Sequence, residues 1–286
     1  VSNIVNIKDY DKVRDLVTEH KPEIIFHMAA QSIVKDSYLD PLNTFQTNVI
    51  GTVNLCEIVR TSDFVKAFIN VTSDKCYKNL EKKTAYVESD ELGGYDAYSA
   101  SKACSELATS AYISSFFSNE TRVVTARAGN VIGGGDWSNY RLIPDIFRSI
   151  VSKQELIIRY PNSVRPWQHV LEPLFGYLEL AKKLYSGDTV QGAWNFGPKE
   201  SSHKTVREVV DHMRVALPEL NYKISSEKSD YEAGLLYLDI SKSCKYLDWS
   251  PKWSFEKCLI ATSEWYKAYI DNKDMLEFSK NQIHEY

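Results

Sequence analysis

The sequence predicts an α/β fold in which helices cover both faces of a parallel sheet. Short apolar segments of strand length recur along the first two thirds of the chain, segments with helical spacing separate them, and small or polar residues follow each strand. This alternation is typical of a doubly wound sheet. Ligands of such sheets bind at the carboxyl ends of the strands, so the residues after each strand are the first candidates for a functional site.

The individual elements follow from local patterns. Segment 22–31 is apolar, has the length of a buried strand and ends in Ala29 and Ala30, whose small side chains leave room for a ligand near the backbone. Asp96 is a suitable N-cap for a helix that extends to about residue 117. The other predicted elements are helices at 47–60 and 173–185 and strands at 65–73, 122–128 and 193–197.

Tyr98 and Lys102 are the main chemical signal in the chain. They are four residues apart on a predicted helix and therefore share one face of it. A free tyrosine has a pKa of about 10, and a positive charge beside it stabilises the phenolate. Ser73, at the end of a predicted strand, could hold a substrate alcohol while Tyr98 removes its proton and hydride passes to a cofactor. Taken alone, such a pair is more often a half-buried tyrosine and a solvated lysine, so the hypothesis depends on its context.

Composition excludes several other classes of protein. A net charge of −4 and a pI near 5.9 argue against general nucleic-acid binding. No apolar run reaches the ~18–20 residues of a membrane span, and the cytosol is the expected compartment. The five cysteines form no C-x-x-C pair and the six histidines are scattered, so neither a disulfide framework nor a metal site is predicted.

A series of motifs in fixed order gives the context on which the hypothesis for Tyr98 and Lys102 depends. The chain resembles the extended short-chain dehydrogenases that modify nucleotide sugars, and within them the 4,6-dehydratases, in particular the branch that acts on CDP-glucose. The similarity extends from about residue 5 to the end. The motifs are HMAAQ at 27–31, TNVIGT at 47–52, TSDKCY at 72–77, YSASK at 98–102, RAGNVIGGGDW at 127–137, RLIP at 141–144 and RPWQHV at 165–170.

The resemblance implies a Rossmann-type parallel sheet with a smaller C-terminal substrate-binding lobe. Residues 1–135 and 168–197 are expected to form the NAD-binding domain, and 136–167 and 198–286 the nucleotide-sugar lobe. Family members begin with a glycine-rich turn that holds the cofactor pyrophosphate. That turn is not found in this sequence, so we expect the sheet to lack its first strands and about 60 preceding residues to be missing.

The resemblance also implies the ligands and the residues that contact them. NAD is the expected cofactor, CDP-glucose the expected substrate and a homodimer the expected assembly, through helices 47–60 and 97–117. Asn6 stands where the family usually has an aspartate that binds the adenine amino group. The expected cofactor residues are Asn6, Ile7, Ala29, Ala30, Gln31, Asn48, Val71, Thr72, Tyr98, Lys102, Ala128 and Val131, and the expected substrate residues are Ser32, Asn130, Arg141, Leu142, Arg159, Arg165, Asn195 and Glu232.

The segment Ser73-Asp74-Lys75 indicates which reaction follows oxidation at C4 of the sugar. Epimerases that resemble this chain have small, non-titrating residues after the serine, whereas a dehydratase needs an acid there, a role that fits Asp74. Lys75 occupies the position where many dehydratases have a glutamate base, so the base that acts at C5 stays open. Two alternatives remain: an epimerase or reductase on the same scaffold, and a regulatory protein that binds NAD without turnover.

Overall fold

The computed structural model describes residues 1–117, 122–225 and 235–286. A π-helical turn at Gln46–Ile50 joins two of its helices, and 3₁₀ turns cover Asp74–Cys76 and Glu200–Ser202. The helices are α1 (Tyr10–His20), α2 (Val34–Leu39), α3 (Pro41–Phe45), α4 (Gly51–Arg60), α5 (Ala97–Phe116), α6 (Leu142–Ser152), α7 (Leu171–Tyr185), α8 (Val206–Ala216), α9 (Ser241–Tyr246), α10 (Phe255–Ile270) and α11 (Met275–Glu285). The strands are β1 (Ile24–His27), β2 (Ala67–Val71), β3 (Val123–Ala128), β4 (Val131–Ile132), β5 (Leu156–Ile158), β6 (Val164–Pro166), β7 (Gln168–His169), β8 (Ala193–Phe196), β9 (His203–Thr205) and β10 (Tyr222–Ile224).

The central sheet contains β1, β2, β3 and β8 in that order, and every neighbouring pair is parallel. The strands are short and almost continuously apolar, as expected when both faces of a sheet are covered. The predicted α/β class and parallel sheet are confirmed. Because the strands run in one direction, their carboxyl ends meet at one edge, and the residues after β1, β2 and β3 lie side by side there.

Two apolar layers hold the helices on the sheet. On one face, Leu180 and Leu184 of α7 pack with Ile69 of β2 and Val124 of β3. On the other face, residues of α1 and α4 pack with Phe68 and Val123, the neighbours of Ile69 and Val124 in the strands. Successive side chains of a strand point to opposite faces, so this alternation is what a sheet with helices on both sides requires.

Helix α5 forms as predicted. The Asp96 side chain accepts a hydrogen bond from the Ser99 backbone N–H at 2.9 Å and caps the helix, which runs to Phe116. The predicted helix 47–60 differs, because the helical segment begins earlier, at Pro41, and contains the π-helical turn. This turn holds Asn48, whose amide hydrogen bonds with both backbone groups of Gln31. The π-helical turn and the chain after β1 are thus joined by two hydrogen bonds.

A second core lies in the C-terminal half of the chain. Phe147 of α6, Val209 and Met213 of α8, and Tyr266 of α10 belong to one buried cluster. Between these elements, residues 236–249 return to the sheet, where Trp249 packs in the same cluster as α7. The division into residues 1–135 with 168–197 and 136–167 with 198–286 stays a prediction.

Among the described residues, no helix combines the length and the apolar character needed to cross a membrane. The same part of the chain contains no group of three or more His, Cys, Asp or Glu side chains arranged to hold a metal ion.

Candidate active site

A cavity of about 920 Å³ opens at the carboxyl edge of the sheet. Ser73, Asp74 and Tyr98 lie on its sheet side, and Arg141 and Arg165 face it from the segments that follow β4 and β5. A cavity of this size, lined by apolar surface with a few convergent polar groups, is typical of a small-molecule site.

The side chains of Ser73 and Tyr98 lie next to each other on the cavity wall. Ser73 follows β2 and caps the 3₁₀ turn, accepting a hydrogen bond from the Lys75 backbone N–H at 3.2 Å. The Tyr98 ring is buried, and this burial raises the pKa of its phenol to about 12, while its interaction with the Ser73 side chain acts in the opposite direction. The phenol is therefore protonated at neutral pH in this structure.

Lys102 lies one helical turn after Tyr98 and is also buried. Its Nζ donates a hydrogen bond to the Val71 carbonyl at 3.3 Å. Burial lowers the pKa of Lys102 to about 8, although the nearby Glu106 opposes this shift. The sequence led us to expect a positive charge that favours the Tyr98 phenolate. Burial instead raises the pKa of Tyr98, and the positive charge that opposes this rise is that of Arg141.

Asp74 is the buried acid of the site. Its Oδ1 accepts a hydrogen bond from the Ser73 hydroxyl at 3.0 Å, and its Oδ2 has no hydrogen-bond partner. Burial raises the pKa of the carboxyl, and the positive charges of Lys75 and Arg165 oppose that rise. A raised pKa favours the protonated form, in which a carboxyl can act as a general acid. Lys75 itself is partly exposed and lines the cavity.

A buried ion pair that the sequence analysis missed lies directly behind these residues. Glu106 Oε2 accepts from Arg127 at 2.7 Å, both side chains are 3% exposed, and Thr72 and Thr125 also donate to Glu106. Arg127 in turn donates to the Tyr77 hydroxyl at 2.8 Å. Two signals were present in the sequence: Glu106 is four residues after Lys102, and Arg127 interrupts an otherwise apolar strand. The pair joins α5 to the ends of β2 and β3.

We expect Arg127→Met to lower the free energy of unfolding by about 3–5 kcal/mol, because it leaves the Glu106 carboxylate buried without its partner. Denaturant unfolding measures this loss. Lys66→Met is the matched control, because its partner Glu23 lies with it at the surface and such pairs contribute about 0–1 kcal/mol. Equal losses in the two variants would contradict the structural role of the buried pair.

The residues predicted to contact the cofactor mostly follow the sheet edge. Ala29, Ala30 and Gln31 come after β1, Val71 and Thr72 end or follow β2, and Ala128 and Val131 lie at the end of β3 and in β4. Gln31 Oε1 is buried without a hydrogen-bond partner, and Ala29 is exposed. An open backbone beside an unpaired acceptor fits a cofactor with hydroxyl groups. Asn6 and Ile7 lie before α1, where the Asn6 side chain accepts from the Lys8 backbone N–H at 3.0 Å.

Most residues predicted to contact the substrate line the cavity. They are Ser32, Asn130, Arg141, Leu142, Arg159 and Arg165. Arg141 donates to Asp136 Oδ2 at 2.9 Å and to the Ser32 hydroxyl at 2.9 Å, which brings two sides of the cavity together.

One described candidate, Asn195, does not line the cavity. Asn195 is 0% exposed, accepts a hydrogen bond from the Tyr77 hydroxyl at 2.8 Å and donates to the carbonyls of Tyr86 and Asp239. Asn195 therefore makes hydrogen bonds within the protein near the end of β8, and its contact with the substrate stays a prediction. Glu232 lies outside the described residues.

Comparison with known proteins agrees with this geometry. The family model described as GDP-mannose 4,6 dehydratase matches residues 3–262. A CDP-glucose 4,6-dehydratase from Salmonella typhimurium is 47% identical, over 100% of this chain and 82% of that protein.

Solved structures show the same fold. The dTDP-glucose 4,6-dehydratase of Bacillus anthracis, in complex with NAD, has 25% identity and a TM-score of 0.77 over 92% of this chain and 78% of its own. The UDP-glucose 4-epimerase of Thermotoga maritima, solved with UDP-glucose, has 22% identity and a TM-score of 0.81 over 93% of this chain and 84% of its own. The second likeness concerns the fold alone. The family match and the full-length relative confirm the resemblance found in the sequence, and the chain belongs to the GDP-mannose 4,6 dehydratase family of short-chain dehydrogenases that modify nucleotide sugars.

Proposed function

We propose that the protein converts CDP-glucose to CDP-4-keto-6-deoxyglucose with loss of water and uses NAD as its cofactor. The observation that carries this proposal is the buried Asp74 carboxyl beside the Ser73 and Tyr98 hydroxyl groups. A dehydratase needs such an acid next to its oxidation site. The 47% identity to a CDP-glucose 4,6-dehydratase supports the substrate.

Each residue of the site has its own role in the proposed reaction. Ser73 hydrogen bonds the C4 hydroxyl, and Tyr98 accepts its proton in the phenolate form, which is the minor form at neutral pH because burial raises the pKa of the phenol. Lys102, one helical turn after Tyr98, is the proposed positive charge that favours the phenolate. The C4 ketone then acidifies the C5–H bond, a base removes that proton, and Asp74 protonates the C6 hydroxyl, which departs as water. Lys75 is the candidate for the C5 base because it lies on the cavity one residue after Asp74, and it can accept the proton only in its uncharged form.

Bound NAD supplies the hydride acceptor for oxidation at C4 and the hydride donor for the final reduction at C6. The residues that would hold it are those at the sheet edge, from Ala29 to Gln31 and around Val71, together with Asn48, which fixes the Gln31 backbone from behind. Tyr98 and Lys102 face the same edge. We place Asn6 and Ile7 at the adenosine end of the cofactor, as the family resemblance implies.

The positively charged side chains that line the cavity are suited to binding the diphosphate of the substrate. Arg141, Arg159 and Arg165 all line it, and a guanidinium can bind two phosphate oxygens at once. Hydrogen bonds to Asp136 and Ser32 position Arg141, and Arg159 donates to the Tyr140 carbonyl at 3.5 Å. We propose that these side chains bind the diphosphate, that Asn130, Leu142 and Ser32 contact the remainder of the substrate, and that the reaction takes place in the cytoplasm.

An epimerase on the same scaffold is the second candidate, since an epimerase shares the fold. An epimerase has no use for a protonated Asp74. Incubating the full-length protein and NAD with CDP-, dTDP-, UDP- and GDP-glucose separates the two, because a 4-keto-6-deoxy product absorbs characteristically in alkali. We expect such a product from CDP-glucose in preference to the others. An epimerised sugar, or no preference for CDP-glucose, would contradict the proposal.

We also propose that the protein is a homodimer formed through α4 and α5. Leu107 is 57% exposed, and Ala111 and Ser114 continue its stripe along α5 with small side chains that permit close helix packing. Ala103, which the sequence placed on this stripe, is buried within the chain.

Leu107→Arg should convert the dimer to a monomer, because it inserts an unpaired charge into an apolar contact between helices. Sedimentation velocity measures the change. Leu178→Arg is the control, since Leu178 is also 57% exposed but lies on α7, across the sheet. A wild-type protein that sediments as a monomer at all concentrations would refute the proposed dimer.

A further inference from the structure

Gly129, the residue after β3, occupies space that a side chain could not share with Asp74. A Cβ on Gly129 would lie 1.9 Å from Oδ2, 2.2 Å from Cγ and 2.8 Å from Oδ1 of Asp74. No side chain tolerates such contacts. The φ angle of Gly129 is not in the left-handed region, unlike those of Gly135 and Gly187, so this glycine is needed for space rather than for backbone conformation.

The backbone at Gly129 is fixed from several directions. The Thr72 N–H donates to the Ala126 carbonyl at 2.8 Å, which holds β3 against the segment that leads to Asp74. On the other side, Gln168 Nε2 donates to the carbonyls of Gly129 and Phe196, each at 3.1 Å, and Gln168 is 1% exposed. Any group added at position 129 must therefore displace Asp74 rather than the strand end.

The close approach determines the surroundings of the carboxyl. Oδ1 receives the Ser73 hydroxyl, but Oδ2 lies against Gly129 with no donor near it. An ionised carboxylate accepts hydrogen bonds at both oxygens, so one oxygen without a donor disfavours the charged form. The wall formed by Gly129 thus keeps water and other donors away from Oδ2.

We propose that Gly129 is a positioning residue for the general acid: by having no side chain, it admits the Asp74 carboxyl to a water-free site where the carboxyl keeps its proton until the C6 hydroxyl departs. In that step the C5 proton passes to the base, its bonding electrons form the C5–C6 double bond, the C6–O bond breaks, and the proton of Asp74 completes the departing water. The inference rests on the proposed dehydration and adds residues 129 and 168 to the machinery that supports it.

Gly129→Ala tests the proposal in the full-length protein. Single-turnover mixing with NAD and CDP-glucose should show elimination slowed about tenfold or more, because misplacing a general acid forfeits part of its ~10²–10⁴-fold contribution, with C4 oxidation close to the wild-type rate. Elimination requires protonated Asp74 and declines as pH rises through its pKa. Since the methyl group pushes the carboxyl toward water and lowers that pKa, the declining limb should move to lower pH.

Gly197→Ala is the matched control. Gly197 follows β8 at the same edge of the sheet, but a Cβ there would meet only Ile240 Cγ2 at 3.4 Å and Leu238 Cβ at 3.7 Å, which are ordinary contacts. Its elimination rate and pH profile should match those of the wild type. If Gly129→Ala behaves like this control in both measurements, the proposal is overturned.

A double-mutant cycle on the free energy of unfolding tests the contact between Gly129 and Asp74 without measuring turnover. Asp74→Ala removes the three atoms that would lie nearest to a Cβ at position 129. We therefore expect Gly129→Ala to destabilise the wild type in denaturant unfolding and to have little effect in the Asp74→Ala background. Equal destabilisation in the two backgrounds, or a double variant that fails to fold, would overturn the contact. A wild-type protein that does not dehydrate CDP-glucose would instead refute the proposed function, which this cycle does not assume.

Discussion

Tyr98→Phe should abolish both the oxidation of CDP-glucose and every step after it. The substitution keeps the buried ring and removes the hydroxyl that contacts Ser73, so the C4 proton has no acceptor. Loss of a general base typically costs about 10²–10⁴-fold. Single-turnover mixing with NAD should show neither reduced nicotinamide nor keto sugar on the wild-type time scale.

Tyr77→Phe is a suitable control for this experiment. Tyr77 is buried near the site, but its hydroxyl donates to Asn195 and accepts from Arg127, away from Ser73. We expect this variant to lose some stability and to keep C4 oxidation. Oxidation by Tyr98→Phe at the wild-type rate would show that another group is the base.

Asp74→Asn should separate the two halves of the reaction. The amide fills the same buried space and leaves Ser73 and Tyr98 in place, so C4 oxidation proceeds, but no acid protonates the departing C6 hydroxyl. We expect dehydration to fall by about 10²–10⁴-fold and the reduced nicotinamide absorbance to accumulate in a single turnover. Lys75→Met, measured in parallel, tests the proposed C5 base and should produce the same accumulation.

Asp136→Asn is the control for Asp74→Asn. Asp136 also lines the cavity, and its carboxyl binds Arg141 rather than Ser73. This variant should weaken substrate binding and raise KM without trapping the reduced cofactor. Dehydration by Asp74→Asn at the wild-type rate would exclude Asp74 as the elimination acid, and so would lost turnover without accumulation.

Much of the fold could be predicted because it depends on local patterns. Apolar segments such as the one ending at Ala30 form buried parallel strands, and Asp96 marks the start of α5 by a capping bond within four residues of sequence. Ser73, Asp74 and Tyr98 could be placed together because strand ends in a parallel sheet meet at one edge.

The remaining features depend on contacts between distant residues. The partnership of Glu106 with Arg127 forms only when α5 lies on β3, and the internal bonds of Asn195 involve a hydroxyl and carbonyls from remote segments. The rise in the pKa of Tyr98 follows from burial, which the spacing of Tyr98 and Lys102 does not reveal. The need for glycine at position 129 likewise arises from a neighbour more than fifty residues earlier in the chain.

The most direct test of the account is the mass of the product formed from CDP-glucose and catalytic NAD in deuterated water. Elimination removes the C5 proton. In the final reduction hydride returns to C6, and C5 takes its new hydrogen from solvent. We predict a nucleotide sugar lighter than the substrate by one water and carrying one deuterium at C5, with no net consumption of NAD. A product with the mass of CDP-glucose would identify an epimerase, and unchanged substrate despite bound NAD would identify a protein that binds the cofactor without turnover; either result would contradict the central claim.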